Sequence, residues 1–117
     1  MTEEQINKMT DDEIDFLLGK NVMGWNPAGE TCFLERDDTG WSPTEDLDDA
    51  TEAIEKALGP HIWLTTGRSW NGSPHPYFAQ IREKKDSNVV DISYAYGRNR
   101  ARASCNALFL AIKIKAS

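Results

Sequence analysis

The sequence predicts an α+β fold, a mostly antiparallel sheet packed by about three helices in a single domain spanning residues 1–117. Three observations carry this. Leu47, Ala50, Ile54, Ala57 and Leu58 recur at helical spacing. Three later segments, about 61–67, 76–84 and 89–96, alternate apolar and polar residues and are joined by short loop-forming stretches. From about Asn99 to Ile114 a helical period returns, apolar on two sides.

Taken in order, Thr10-Asp11-Asp12-Glu13 reads as a capping box opening a helix over about 11–21, with Met9 and Ile14 placed as a hydrophobic staple. Ile14, Leu17 and Leu18 give it one apolar face, and a weaker turn precedes it near 3–8. "GKNVMGW" follows: Val22 and Met23 continue the packing, Gly24 permits an unusual backbone turn, and Trp25 brings a large surface to bury. It reads as a structural helix exit, with a binding surface as the alternative. Asn26-Pro27-Ala28-Gly29 is a turn, Thr31–Glu35 a short strand, Arg36–Gly40 a second turn, and Trp41 the end of a returning strand.

Ser42-Pro43-Thr44-Glu45 reads as a further capping box with proline at the first helical position, and Gly59-Pro60 stops that helix. In the sheet, alternation assigns Ile62, Leu64, Tyr77, Ala79, Ile81, Val90, Ile92 and Tyr94 to one face. Trp63, Thr65, Phe78, Gln80, Arg82, Asp91 and Ser93 fall on the other. On the last helix, Ala101, Cys105, Leu108 and Ile112 form a stripe expected to cover the sheet. Ala103, Ala107, Leu110 and Ile114 form a second stripe, covered within the chain or by a second copy in a homodimer.

The net charge of −6 is unevenly placed, since residues 1–60 hold 16 of the 19 acidic side chains but only 4 of the 13 basic ones. Such asymmetry fits an acidic surface imitating nucleic acid, a basic anion-binding patch, or two halves that neutralise each other. No apolar run approaches the roughly 20 residues of a membrane span. The acidic start, MTEEQINKMTDDE, is unlike a signal peptide. Cys32 and Cys105 are expected as reduced thiols.

His61 and His75 lack a ligand partner at metal-binding spacing, and Asp46-x-Asp48-Asp49 lies inside a helical pattern, so neither metal nor cofactor is expected. Ser69, Ser73, Ser93, Ser104 and Cys105 sit in no nucleophile motif, so no enzymatic activity is expected. Gly97-Arg98-Asn99-Arg100-Ala101-Arg102 is the one stretch that local physics disfavours, because cations at a helix start oppose the macrodipole. Arg98, Arg100 and Arg102 are therefore candidate ligands for a nucleotide or other anion. Pairing with the acidic half is the plainer account of them, and a protein interface is a third.

"LLGKNVMGW" (17–25), "WSPTEDLDDATEAIEKAL" (41–58) and "ASCNALFLAI" (103–112) together resemble a family of small phage proteins with a phage ABA sandwich domain. The resemblance implies helices on both sheet faces, no general enzymatic activity, and a phage accessory role in the cytoplasm of a bacterial host. The expected function is then inhibition of a host or defence protein through the acidic helix, with Asp48, Asp49 and Glu52 at that contact and Leu110 at a homodimer contact. The alternative is a sponge that sequesters a nucleotide or other small anion on Arg98, Arg100 and Arg102. Neither direct nucleic-acid binding nor membrane insertion is expected.

Overall fold

The computed structural model describes residues 3–26, 41–69 and 74–116, with side chains to 112. The expected strand at 31–35 and the turns at 27–29 and 36–40 lie outside them, as do Cys32 and the side chain of Ile114.

A short helix α1 (Glu3–Lys8) leads into α2 (Asp11–Asn21). Thr10 caps α2 as expected, its hydroxyl accepting the Glu13 N–H at 3.2 Å, while Ile14 and Leu18 are fully buried. At the far end Gly24 takes a φ of 76°, where L side chains are strained, and the Trp25 N–H reaches back to the Gly19 carbonyl at 3.0 Å. "VMGW" is thus a helix exit. Trp25 is only half-buried and rests edge-on against Trp41, with ring centroids 4.7 Å apart.

The next helix, α3 (Leu47–Leu58), begins later than its proline suggests. Residues 43–45 form a separate turn in which the Asp46 N–H bonds the Ser42 carbonyl at 2.8 Å. Asp46 is the true cap, accepting the Asp48 N–H at 2.9 Å. Side chains from elsewhere hold the turn in place. Asp15 of α2 accepts bonds from the Ser42 hydroxyl, the Thr44 N–H and the Thr44 hydroxyl at 3.0–3.1 Å, and Asp49 accepts the Ser42 N–H at 2.9 Å. Those tertiary bonds give Ser42 and Thr44 a use that competes with helix capping.

Strands β1 (Ile62–Arg68), β2 (Tyr77–Lys85) and β3 (Asn88–Gly97) form an antiparallel sheet in the order β1-β2-β3, close to the expected limits. The alternation fails in β3. Ile81 pairs with Ser93 but Arg82 with Asp91, so Ile92 is an extra residue and the pleat reverses beyond it. Ser93 and Ala95 therefore join Ala79 and Ile81 on the core face, and Tyr94 moves to the opposite face beside Gln80.

Helix α4 (Arg100–Ala116) lies against the core face of the sheet. The two stripes are exchanged relative to expectation. Ala103 and Ala107 face the sheet, the Ala107 carbonyl accepting the Ser93 hydroxyl at 2.7 Å. Cys105 faces away from it, its thiol 3.2 Å from the Pro43 carbonyl. Among the described members of the two stripes, Ala101, Ala103, Cys105, Ala107 and Leu108 are buried within one chain and Ile112 is half-buried. Leu110 is half-buried against the same core. Helix α3 packs on α4 and β1, and α1 packs on α4. The described helices leave the outer face of the sheet open, with Trp63 53% and Tyr94 42% exposed. Among the described residues the helices lie on one face of the sheet.

Candidate functional site

The arginine run divides as the α4 start folds. Asn99 precedes the helix, and its side chain accepts the Arg102 N–H at 2.7 Å. Residues two apart on a helix point to nearly opposite sides, so Arg100 and Arg102 part company. Arg102 turns inward, 7% exposed. Its guanidinium donates to the Asn106 side chain at 3.0 Å, to Asp11, and to the carbonyls of Ile6 and Met9 at 2.9 and 2.8 Å. Those carbonyls end α1, so Arg102 satisfies groups that a short helix leaves bare and ties the α1–α2 corner to α4. Asn106, one turn on, donates to the Tyr96 carbonyl at 2.9 Å. Arg98 pairs with Asp11 and, at 3.5 Å, with Glu45. Two of the three expected anion ligands are thus joined to the acidic half of the chain, and only Arg100 remains open, its guanidinium over the Tyr77 ring at 5.9 Å.

Asp11, between two guanidiniums, shows how charge offsets burial. Burial alone would raise its pKa, yet the hydrogen bonds and charges of Arg98 and Arg102 together hold it below the usual 3.8. Asp15 shows the reverse, since burial pushes it up despite the bonds from Thr44 and Ser42. The signs differ accordingly. A depressed carboxylate contributes stability that is present above its unfolded value and fades as pH falls through its folded one, whereas a raised one takes up a proton more readily when folded. Asp11→Asn should therefore destabilise at neutral pH, and its deficit relative to wild type should shrink on acidification below about pH 4. Urea midpoints across the acid range would measure this, and a deficit independent of pH would contradict it.

The outer sheet face is the second feature. Across the strands Trp63 stands beside Arg82, Gln80 beside Tyr94, and Phe78 beside Tyr96. Phe78 stacks on Tyr94 with centroids 5.6 Å apart, and its ring also lies over Gly67, where an added Cβ would come within 2.8 Å of it. Tyr94 meets the Tyr96 ring edge-on, and the bond between their hydroxyls is the leading cause that pushes Tyr94 up to about 12, so it stays a neutral phenol at physiological pH. Arg82 donates to the Gln80 side-chain amide oxygen at 2.9 Å, and its Nε lies 3.1 Å from Asp91 as a charge contact, without the angle of a directed hydrogen bond. Sequence reading assigned Tyr94 to the core because the bulge at Ile92 leaves no mark on an alternating pattern.

No family model, curated protein or solved structure matches this chain. The resemblance noted above therefore rests on its own three motifs.

The remaining candidates fall as follows. Asp48 and Glu52 are exposed on α3, but Asp49 is half-buried and holds the Ser42 N–H, which makes it a structural group. Among the described residues no cluster of His, Cys, Asp and Glu is placed to hold a metal, and no helix is long and apolar enough to cross a membrane. Cys105 is a buried free thiol that burial pushes well above its usual range, which suppresses the nucleophilic thiolate. The hydroxyls of Ser93 and Ser104 are bonded to the Ala107 and Arg100 carbonyls.

Proposed function

We propose that this protein acts without catalysis, by binding a partner protein through the outer face of its sheet. The observation that carries this is the outer-face cluster of Trp63, Phe78, Tyr94, Tyr96 and Arg82, in which Trp63 and Tyr94 are exposed and the other three half-buried. Aromatic residues and arginine are the side chains enriched at the centres of protein interfaces and among their strongest contacts. Rings already packed on one another lose little freedom on docking, which lowers the entropic cost of association. In the setting that the family resemblance implies, the partner is a host or defence protein in the cytoplasm of an infected bacterium, and binding inhibits it.

A second reading moves the contact to α3. Asp48, Glu52 and Glu55 are exposed there, and none has a cationic partner among the described residues. A row of free carboxylates is the element an acidic, nucleic-acid-like surface requires.

Two variants separate the readings. Trp63→Ser with Tyr94→Ser alters the sheet face, and Asp48→Lys with Glu52→Lys and Glu55→Lys alters the helix. Each change is at the surface, so stability should move by only about 0.5 kcal/mol per site. Co-purification of the crosslinked partner from bacterial cells should be lost in the first variant and kept in the second. The opposite result assigns the contact to α3, and retention in both removes the proposal.

A further inference from the structure

A second docking place lies at the β1 edge of the sheet, and it does not rest on the aromatic face. The two edge strands differ in how they are protected. β3 carries Asp91 and the bulge at Ile92, both of which discourage another strand from pairing alongside. β1 has neither device. Its register with β2 runs without a shift, and residues 62–67 hold no charge and no proline. The Lys84 N–H bonds the His61 carbonyl at 3.0 Å and the Ser69 N–H bonds the Pro76 carbonyl at 2.6 Å, which fixes the phase of the ladder. Odd-numbered residues of β1 therefore exchange bonds with β2, and the backbone groups of Ile62, Leu64 and Thr66 point away from it. Among the described residues no hydrogen bond reaches those groups from the open side.

The same three residues form one wall of a groove of about 340 Å³. The other wall is α3, where Leu47, Thr51, Ile54 and Glu55 share a helical face. Only residues 59–61 separate α3 from β1, so the two run antiparallel along the groove, with Leu47 at the Thr66 end and Glu55 at the Ile62 end. An open strand edge beside a groove for alternate side chains is the arrangement that accepts an extended peptide as an added strand. Main-chain bonds hold such a peptide, and the groove decides which side chains fit.

The groove also selects by charge. Glu55 is exposed at its mouth and forms no ion pair among the described residues, and Asp48 and Glu52 stand exposed on the same helix. A second copy of the chain is a poor occupant. Two-fold pairing of β1 with itself would bring two acidic α3 helices together on one face of the joined sheet, and like charges set against each other oppose association. A segment carrying a cation beside Glu55 is favoured instead.

We infer that the β1 edge and the groove against α3 bind an extended segment of another protein, antiparallel to β1, with apolar side chains opposite Thr66 and Leu64 and a lysine or arginine opposite Ile62.

The test is fluorescence anisotropy of the full chain with a labelled, end-capped peptide as long as β1, seven residues. Its odd positions are threonine, and its even positions are valine, valine and lysine in that order. Binding should be saturable. In an antiparallel added strand the valine and lysine amides face β1, so N-methylation of those three should abolish binding. N-methylation of the threonines between them should leave it in place. Glu55→Lys, an exposed change that spares the fold, should weaken binding about tenfold or more, and a peptide with glutamate for its lysine should recover it on that variant. No saturable binding, indifference to which amides are methylated, or no effect of Glu55→Lys overturns the inference. Loss of binding in Tyr94→Ser overturns it as well, by placing the peptide on the open face of the sheet. Self-association of the chain that competes with the peptide does so too, by giving the edge to a second copy. Neither the methylated peptides nor Glu55→Lys alters Trp63 or Tyr94, so this site and the sheet-face contact fail separately.

Discussion

Arg102→Met is expected to destabilise the protein by about 3–5 kcal/mol, the range for breaking one side of a buried charged network. The side chain is 7% exposed and all its donor groups are engaged. Methionine fills much of the volume but leaves the Met9 carbonyl without its Arg102 donor and the Ile6 carbonyl with only the Met9 N–H at 3.1 Å, and an unsatisfied buried polar group costs about 1–3 kcal/mol. Asp11 is less exposed to loss, because Arg98 still faces it. For a domain of ordinary stability, about 5–15 kcal/mol, the change removes a large share of the total. Arg102→Lys should recover little, since one ammonium cannot span a carboxylate, an amide and two carbonyls. Urea unfolding of both variants measures this. A neutral Arg102→Met would mean that α1 is not held by Arg102, and a double-mutant cycle with Asp11→Asn would show which bond carries the coupling.

Arg98 and Arg102 pair with acids of the first half, the plainer of the accounts open to the run, but which acids they meet shows where local sequence reasoning stops. The spacing alone already argued against one shared site, because Arg100 and Arg102 fall on nearly opposite sides of a helix. What spacing could not supply was the partner of each. Asp11 lies ninety-one positions from Arg102 in the chain, and Arg68 reaches Tyr77 only through strand register. The elements themselves were legible wherever the determinant was local: Thr10 caps α2, Gly24 turns the chain out of it, and the three strands follow from alternation and polar loops. Two local readings failed, one through distant groups and one through a bulge that the alternating pattern does not mark. Ser42 has the chemistry of a cap, yet Asp15 and Asp49 engage its polar groups and Asp46 takes its place. Tyr94 has the right parity for the core, yet the extra residue at Ile92 turns it outward, and with it appears the aromatic face on which the proposed contact rests.

The second large effect is expected at Gly97→Ala, where the reason is space. Gly97 ends β3 on the core face, opposite the first turn of α4, and is buried. A Cβ built there would lie 2.5 Å from the Ala103 backbone nitrogen and 2.9 Å from its Cα. Neither atom can rotate away, as the tip of a long side chain could, so the helix must shift from the sheet or the strand must bend. Overpacking of this kind costs about 1–3 kcal/mol and occasionally more, and a contact against backbone belongs at the upper end. Displacement of α4 would also strain the Ser93 bond to the Ala107 carbonyl and the Asn106 bond to Tyr96, since both tie the helix to the same strand. Gly67→Ala is the matched comparison. Its Cβ would meet only the Phe78 ring, at 2.8 Å on the open face, where the ring can swing into solvent. The expected order is therefore a loss of about 3 kcal/mol at Gly97 and a clearly smaller one at Gly67. Thermal and urea unfolding of the two variants side by side would measure it, and equal losses would mean that α4 does not seat on β3 as closely as the Gly97–Ala103 contact requires.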